Sequence, residues 1–470
     1  MPLSVFRMRP ARALPLAPGI FRALAVGALA AACVACAPQS SGAGELSLPS
    51  AERPSVTPST TDFVNSIGAG VHMGAVKTGY GDVDAVVSDL RYLGVRHVRD
   101  GLGGIVSGTL TNGRWDPDPT SKLERFYAAG IRFDGIAGAD FGKFADQMRR
   151  YSKYIEAIEG PNEPEMNGTK YGALTGPPAA AAVQKDLYAF VKGDPVLRDK
   201  PVLQFAFAYP RNSGTTGDLS PYVDYANIHS YAGHGLAPHL RTPDDLAATV
   251  SAPGKPSIVT ETGYPTNDPS GPPGARLGPG HSMVDEDVQA KYLLAAVLDD
   301  FKQNVTATYL YELLDDRPEP QNLDEQQHFG LFRADGSKKP VAVALHNLNT
   351  ILTSDGGSSL MSERAAPNWS ASVAPGDPPV DVRSYNLLMR KPNGGFDLVL
   401  WSEPPLWTAQ LQKAPAVSPS RVSIQFGRTF RRVRVFDPLV GVAPIETRAG
   451  VSDVVISVTD HPVVIELSDQ

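Results

Sequence analysis

The stretch Ile155-Glu156-Ala157-Ile158-Glu159-Gly160-Pro161-Asn162-Glu163-Pro164-Glu165 decides how the rest of the chain is read. Its first five residues have the length and apolar content of a buried strand, and the residues after them stop it. Pro161 and Pro164 fix φ and have no N–H to give to a sheet ladder, so the backbone must leave the strand and turn. Glu163 is therefore expected on a rigid turn at the carboxyl end of a strand, beside the amide of Asn162. A carboxyl group fixed in this way suits proton transfer to a glycosidic oxygen, provided that a second carboxylate faces it.

Outward from that strand, short apolar runs alternate with helix-like segments. Strands are expected near Ser66–Met73, Val95–Arg99, Ile131–Ile136, Ile155–Glu159, Val202–Ala208, Tyr225–His229, Ser257–Thr260 and Ala307–Tyr311. Between them, segments such as Asp82–Leu93 place Val83, Val86, Val87, Leu90 and Leu93 at helical spacing, with Gly94 as the stop. A last helix over Val341–Leu352 would seal the ring. Eight such units predict an α/β fold, a (β/α)8 TIM barrel over 62–353. After Thr353 the helical spacing gives way to period-two alternation, as in Val433-Arg434-Val435. Residues 354–470 are thus read as a smaller antiparallel β-sandwich, with strands at Asp381–Arg390, Phe396–Trp401, Val422–Phe426, Arg431–Phe436, Val454–Val458 and Val463–Leu467.

A barrel carries its site at the carboxyl ends of its strands. The partner carboxylate is found there: Ile258-Val259-Thr260-Glu261-Thr262-Gly263-Tyr264 puts Glu261 at the end of the seventh strand, opposite Glu163 at the end of the fourth. A gap of about 5–5.5 Å between two such carboxyl groups makes a retaining glycosidase, and about 6.5–9.5 Å an inverting one.

With Asn162-Glu163-Pro164 after strand four, Glu261 after strand seven and His229-Ser230-Tyr231 after strand six, the chain resembles clan A of the glycoside hydrolases, the retaining (β/α)8 enzymes. A barrel followed by a β-sandwich is similar in layout to families 39, 30 and 51 of that clan, family 39 before the others. The resemblance implies that Glu163 is the general acid/base, that Glu261 is the nucleophile and that Asn162 holds the sugar 2-hydroxyl. Arg99, ending strand two, stands where the clan often places an Arg supporting the nucleophile or its neighbouring Asn, with Asp100 beside it to orient it. Tyr311 and Glu312 end strand eight, where clan members often put a Trp. Tyr311 can still stack on the apolar face of a sugar, while Glu312 and His72 are placed to accept or donate hydrogen bonds to hydroxyls. Tyr231 is expected to donate a hydrogen bond to Glu261. Glu156, Glu159 and Glu165 are read as bystanders that face solvent or pair with Lys or Arg. The pairs Asp299-Asp300 and Asp315-Asp316 are read as solvated ends.

Composition narrows the partners. A net charge of −7 from 43 basic and 50 acidic residues, without long runs, offers no basic stripe for nucleic acid. Apolar residues at 42% and charged residues at 20% fit an ordinary globular chain with room for one large and one small domain. The substrate is expected to be a carbohydrate, with no cofactor and no metal: His234 and His239 lack a Cys partner or a His-Glu-x-x-His helix. Both cysteines, Cys33 and Cys36, close an Arg-containing, Ala-rich leader over 1–36 too short to span a bilayer. It reads as an export signal, and small residues before each Cys resemble a lipoprotein cleavage site, giving a lipid anchor as the only membrane contact. Plain secretion is the alternative, and 37–61 reads as a flexible linker. Two other functions stay open on these residues: a non-catalytic glycan-binding envelope protein, and a transglycosylase using the same two carboxylates.

Overall fold

The computed structural model describes residues 57–111, 114–267, 283–320, 322–354, 365–407 and 415–469. Cys33, Cys36, the leader, most of the linker and nearly all of the Gly-Pro-rich stretch after Asn267 lie outside the described residues. Among the described residues no helix is long and apolar enough to cross a membrane.

Eight parallel strands form the barrel: β1 Ile67–Gly70, β2 His97–Gly101, β3 Arg132–Ile136, β4 Ile155–Glu159, β5 Val202–Leu203, β6 Ala226–His229, β7 Ser257–Thr262 and β8 Thr308–Leu310. They pair in the order β6-β7-β8-β1-β2-β3-β4-β5, and a bridge from Leu203 to Tyr225 closes the ring between β5 and β6. That seam is the least regular part. β5 has two residues rather than the seven expected, because side-chain amides take over from the ladder. Gln184 donates from Nε2 to the Leu203 and Tyr222 carbonyls, each at 3.2 Å, and its Oε1 accepts from the Phe205 N–H at 2.9 Å. Asn227 Nδ2 donates to the Gln204 carbonyl at 2.9 Å. Phe205 and Phe207 then turn into a separate cluster with Ala180, Ala181 and Leu219.

The helices follow from periodicity and caps. In Val83–Leu93, the side chains of Val83, Val86, Leu90 and Leu93 are buried, the Asp82 carboxylate accepts from the Ala85 N–H, and Gly94 at φ 78° supplies the left-handed stop. Glu286–Lys302 and Pro340–Thr353 are buried along much of their length, because the second domain covers them.

That domain is one antiparallel sheet curled into the sandwich arrangement. Its strands are β9 Trp369–Val373, β10 Asn386–Arg390, β11 Phe396–Leu400, β12 Ser420–Phe436, β13 Glu446–Val458 and β14 Val463–Ser468. The order is β9-β12-β14-β11-β10, with β13 also on β12. The runs 422–426 and 431–436, expected as two strands, are two halves of β12, whose register with β13 shifts between Gln425 and Phe430. The first half pairs with β9 and the second with β14, so one long strand turns the corner of the sheet. β9 has no counterpart in the sequence reading, since Trp369-Ser-Ala-Ser-Val373 carries only three apolar side chains.

Barrel and sheet share a hydrophobic core that runs from Leu293 and Leu345 to Met389, Trp401 and Phe436. Asp299 and Asp300 sit in this junction, buried and not solvated as expected. The Trp401 indole N–H donates to Asp299 Oδ1 at 3.1 Å and Glu403 Oε1 at 3.2 Å. Burial and the Glu403 charge push the Asp299 carboxyl up to about 10, so it keeps its proton. Lys291 on the barrel reaches Asp460 at 2.7 Å. Asp315 is also buried, paired with Lys339 at 2.7 Å.

Candidate active site

β4 ends as its sequence requires. Between Pro161 and Pro164 the backbone places Glu163 in the left-handed region, at φ 41°, and its N–H donates to the Ala206 carbonyl at 3.0 Å. A non-glycine residue held there costs about 1–3 kcal/mol, a cost typical of functional positions. The Glu163 side chain is 22% exposed, enough to meet a ligand.

Arg99, from the end of β2, is the hub beneath it. The guanidinium is buried at 4% exposure. Its Nε and Nη2 donate to the two oxygens of Glu159 at 2.6 and 2.7 Å. Nη1 donates to Glu261 Oε1 at 2.5 Å, and Nη2 to Asn162 Oδ1 at 2.7 Å. One planar fork thus fixes three side chains from β4, its turn and β7. With Oδ1 engaged, Nδ2 of Asn162 is the end left for a ligand.

Glu261 is clamped on its other oxygen by the Tyr231 hydroxyl, which donates to Oε2 at 2.7 Å. Burial alone would raise the Glu261 pKa. The neighbouring His229 and the Arg99 guanidinium, with the bonds from Tyr231 and Arg99, outweigh it and hold the carboxylate below its ordinary value. Burial and the adjacent Glu261 charge push the Tyr231 phenol well up, so it remains a donor.

His229 ends β6 and is wholly buried between the two carboxylates. Its Nδ1 lies 2.9 Å from Glu163 Oε1 and 3.5 Å from Glu261 Oε2, and Nε2 is 3.4 Å from Arg99 Nη2. Because Arg99 can only donate, the arrangement that satisfies both neighbours puts the proton on Nδ1, directed at Glu163. Ligand atoms of Glu163, His229 and Glu261 all lie within 4.8 Å of one another. The three could in principle hold a cation, yet both Glu261 oxygens are already taken and Arg99 supplies the positive charge a metal would bring.

The remaining residues lie around this centre. Tyr311, Phe329 and His72 line a cavity of about 820 Å³ together with Arg99, Asn162, Glu163, His229, Tyr231 and Glu261. Glu312 is fully buried and does not line it. Glu312 Oε2 instead accepts from the Tyr80 hydroxyl at 2.8 Å and pairs with His72 Nε2 at 3.0 Å. Burial works against protonation of His72, but the bond to Glu312 and its charge outweigh it and push the imidazole up to about 9. Asp100 does not touch Arg99. Successive strand residues point to opposite faces, and its carboxylate accepts from the Met73 and Gly101 N–H groups at 2.8 and 2.7 Å.

Glu159, read as a bystander, is the bidentate partner of Arg99 and has no exposure. Alternation counted back from Glu163 fails because the proline turn intervenes; counted within β4, the strand points Glu159 inward. Asp134 on β3 is buried below it and pushed well above the usual carboxylate range by burial and by the Glu159 charge. Glu156 pairs with His97 at 2.9 Å, and Glu165 accepts from the Tyr209 N–H at 3.1 Å. Tyr80, Asp134 and Phe329 carry no motif, and only proximity in the fold marks them.

No protein-family model matches the sequence, and no curated protein sequence does. Solved structures do. A family 39 glycoside hydrolase from Bacteroides cellulosilyticus WH2 aligns at TM-score 0.55 and 15% identity, over 88% of this chain and 83% of that one. The fold is that of family 39 glycoside hydrolases. The family 39 enzyme from Xanthomonas axonopodis pv. citri aligns at 0.53 and 16% identity, covering 87% and 94%. A monomeric beta-xylosidase from Caulobacter crescentus CB15 aligns at 0.52 and 16%, covering 88% and 97%. At such identities the likeness to family 39 is one of fold, barrel and sandwich together.

Proposed function

We propose that the protein is a retaining glycoside hydrolase acting on an oligo- or polysaccharide, with Glu261 as nucleophile and Glu163 as acid/base. The observation that carries this reading is the unequal treatment of two facing carboxyl groups. Glu261 has both oxygens held by donors, which keeps it anionic. Glu163 has one oxygen on His229 and, among the described residues, no hydrogen bond to the other, which is left for a leaving-group oxygen. A separation within 4.8 Å for one oxygen of each favours the close spacing of retaining enzymes, about 5–5.5 Å, over the wide one.

In the first step a Glu261 oxygen forms a bond to the anomeric carbon while the bond to the leaving oxygen breaks and Glu163 protonates that oxygen. In the second, Glu163 takes a proton from water, the water oxygen bonds to the anomeric carbon, and Glu261 leaves as carboxylate. Asn162 Nδ2 would meet the sugar 2-hydroxyl, and Tyr311 its apolar face. No cofactor enters. The leader further suggests export with a lipid on Cys33 or Cys36, which mass spectrometry of the mature N-terminus tests; an unmodified N-terminus would count against it.

The decisive experiment measures hydrolysis of a glycan and aryl-glycoside panel by the unmodified protein, Glu261→Gln and Glu163→Gln. Glu261→Gln should be inactive. Glu163→Gln should lose more on poor leaving groups than on dinitrophenyl glycosides, and azide should restore turnover of the latter. Unchanged activity in both variants, or no cleavage by the unmodified protein, would sink the reading.

A further inference from the structure

The cavity is not electrically uniform. Arg99 is committed to Glu159 and Glu261, Arg241 to Asp245 at 2.9 Å, and His72 to Glu312 at 3.0 Å. Arg211 also lines the cavity and, among the described residues, pairs with no carboxylate. Glu165, one residue before Met166, accepts from the Tyr209 N–H at 3.1 Å.

The place of Arg211 gives this charge a direction. An acid that protonates a leaving oxygen stands on the side of the leaving group, so residues contiguous with Glu163 mark that side. Met166 follows Glu163 by three residues, and Tyr209, at the end of the segment after β5, meets it, with the phenol oxygen 3.8 Å from the Met166 sulfur. Both line the cavity, at 62% and 42% exposure. Two large apolar side chains left in a cavity wall make a surface on which a sugar ring can stack. The Arg211 guanidinium lies 5.4 Å from the Tyr209 ring centre, so a ring seated on Tyr209 would bring its substituents within reach of a planar, bidentate donor that pairs with no anion among the described residues. The acidic Glu325 also lines the cavity.

We propose that the leaving-group side of the cavity binds an acidic sugar, a uronic acid or another anionic unit, with Tyr209 as the platform and Arg211 as the residue that selects the negative charge. The placement of the leaving group rests on the hydrolase reading. The preference for an acidic ligand does not require turnover.

The test is therefore binding, with the full chain carrying Glu261→Gln so that no glycan is consumed. Oligoglucuronates, oligogalacturonates and oligomannuronates are each compared with their neutral counterparts by titration calorimetry. The ratio of acidic to neutral affinity is then followed in Arg211→Gln, Arg211→Lys and Tyr209→Ala, with circular dichroism confirming that each variant is folded. The expected result is preferential binding of at least one acidic series. That preference should drop by about tenfold or more in Arg211→Gln, as loss of a charge-assisted hydrogen bond implies, and survive in part in Arg211→Lys. Tyr209→Ala should weaken both members of a pair and leave the ratio in place. Equal affinity for acidic and neutral members, binding of neither, or a preference that persists in Arg211→Gln would overturn the proposal. Acidic preference in a protein that cleaves nothing would instead count against the hydrolase reading alone.

Discussion

Tyr231→Phe isolates one of the two bonds that hold Glu261 anionic. The substitution removes a single oxygen, the donor 2.7 Å from Glu261 Oε2, and leaves the ring packed edge-on against Tyr311 and Phe329 at centroid distances of 6.4 and 6.0 Å. Arg99 keeps the other carboxylate oxygen. A hydrogen bond to a charged group is worth about 1.5–3 kcal/mol, which corresponds to roughly 10- to 150-fold in a rate or equilibrium constant. Because Glu261 is held below its ordinary pKa partly by this bond, its loss raises that pKa. Glu261 is then protonated at a higher pH, and the acidic limb of kcat/KM against pH moves up. The assay is a pH–rate profile on an aryl glycoside that the unmodified protein cleaves, alongside thermal unfolding. An acidic limb in the same place, with kcat/KM within twofold, would refute the clamp as the cause of the Glu261 ionisation.

Three further outcomes follow from the charge arrangement. Asp437 and Asp460 outweigh the burial of His461 and push its imidazole up to about 9, so its stabilising effect should be full below about pH 6.5 and fade as pH rises through 9. His461→Gln should therefore lower stability by about 3 kcal/mol at pH 6, where pH-jump denaturant curves can read it, and by little at pH 10. Asp299 holds a proton in the fold up to about 10, which costs stability above the unfolded carboxylate pKa; Asp299→Asn should raise the thermal midpoint at pH 8, with the gain vanishing below pH 4. In Glu312→Gln, NMR titration should find the His72 imidazole protonating well below its present value of about 9, whereas an unchanged midpoint would mean that Asp100 or Asp316 holds the proton instead.

Much of the barrel was legible because strands buried on both faces read as short apolar runs, and β4 falls on the residues expected, Ile155–Glu159. β5 was overextended because Phe205 and Phe207 continue the apolar run while Gln184, 21 residues before Phe205, takes the Phe205 N–H. Such a bond has no signature in a linear pattern. β9 and the bend in β12 were illegible for a related reason, since half-exposed strands with Ser and Arg carry too little hydrophobic contrast. At the site, residues sitting at strand ends with a Pro or Gly after them stood out: Asn162, Glu163, Glu261. That Arg99 meets Glu261 and Asn162 was expected through the resemblance alone; its bidentate hold on Glu159, 60 residues away, was hidden. Glu159 does pair with an Arg, one of the two readings made of it, but carrying the strand alternation across a turn that interrupts it hid its place beneath the site; the Asp299-Asp300 pair was misplaced by reading charge as exposure where the sandwich domain covers the helix.

The seam between β5 and β6 gives the barrel a point of selective weakness. Elsewhere the ring is held by repeated backbone ladders, in which the loss of one bond is shared by its neighbours. Here two backbone bonds, from the Gln204 N–H to the Tyr225 carbonyl and from the Asp224 N–H to the Val202 carbonyl, are reinforced by Gln184, which joins three backbone groups by itself. Amide exchange at Phe205 should accordingly track the integrity of one side chain. Because Tyr209 and Arg211 follow that seam in the chain, the cavity wall they form hangs from the part of the barrel with the fewest ladder bonds, while the Arg99 hub is tied to Glu159, Asn162 and Glu261.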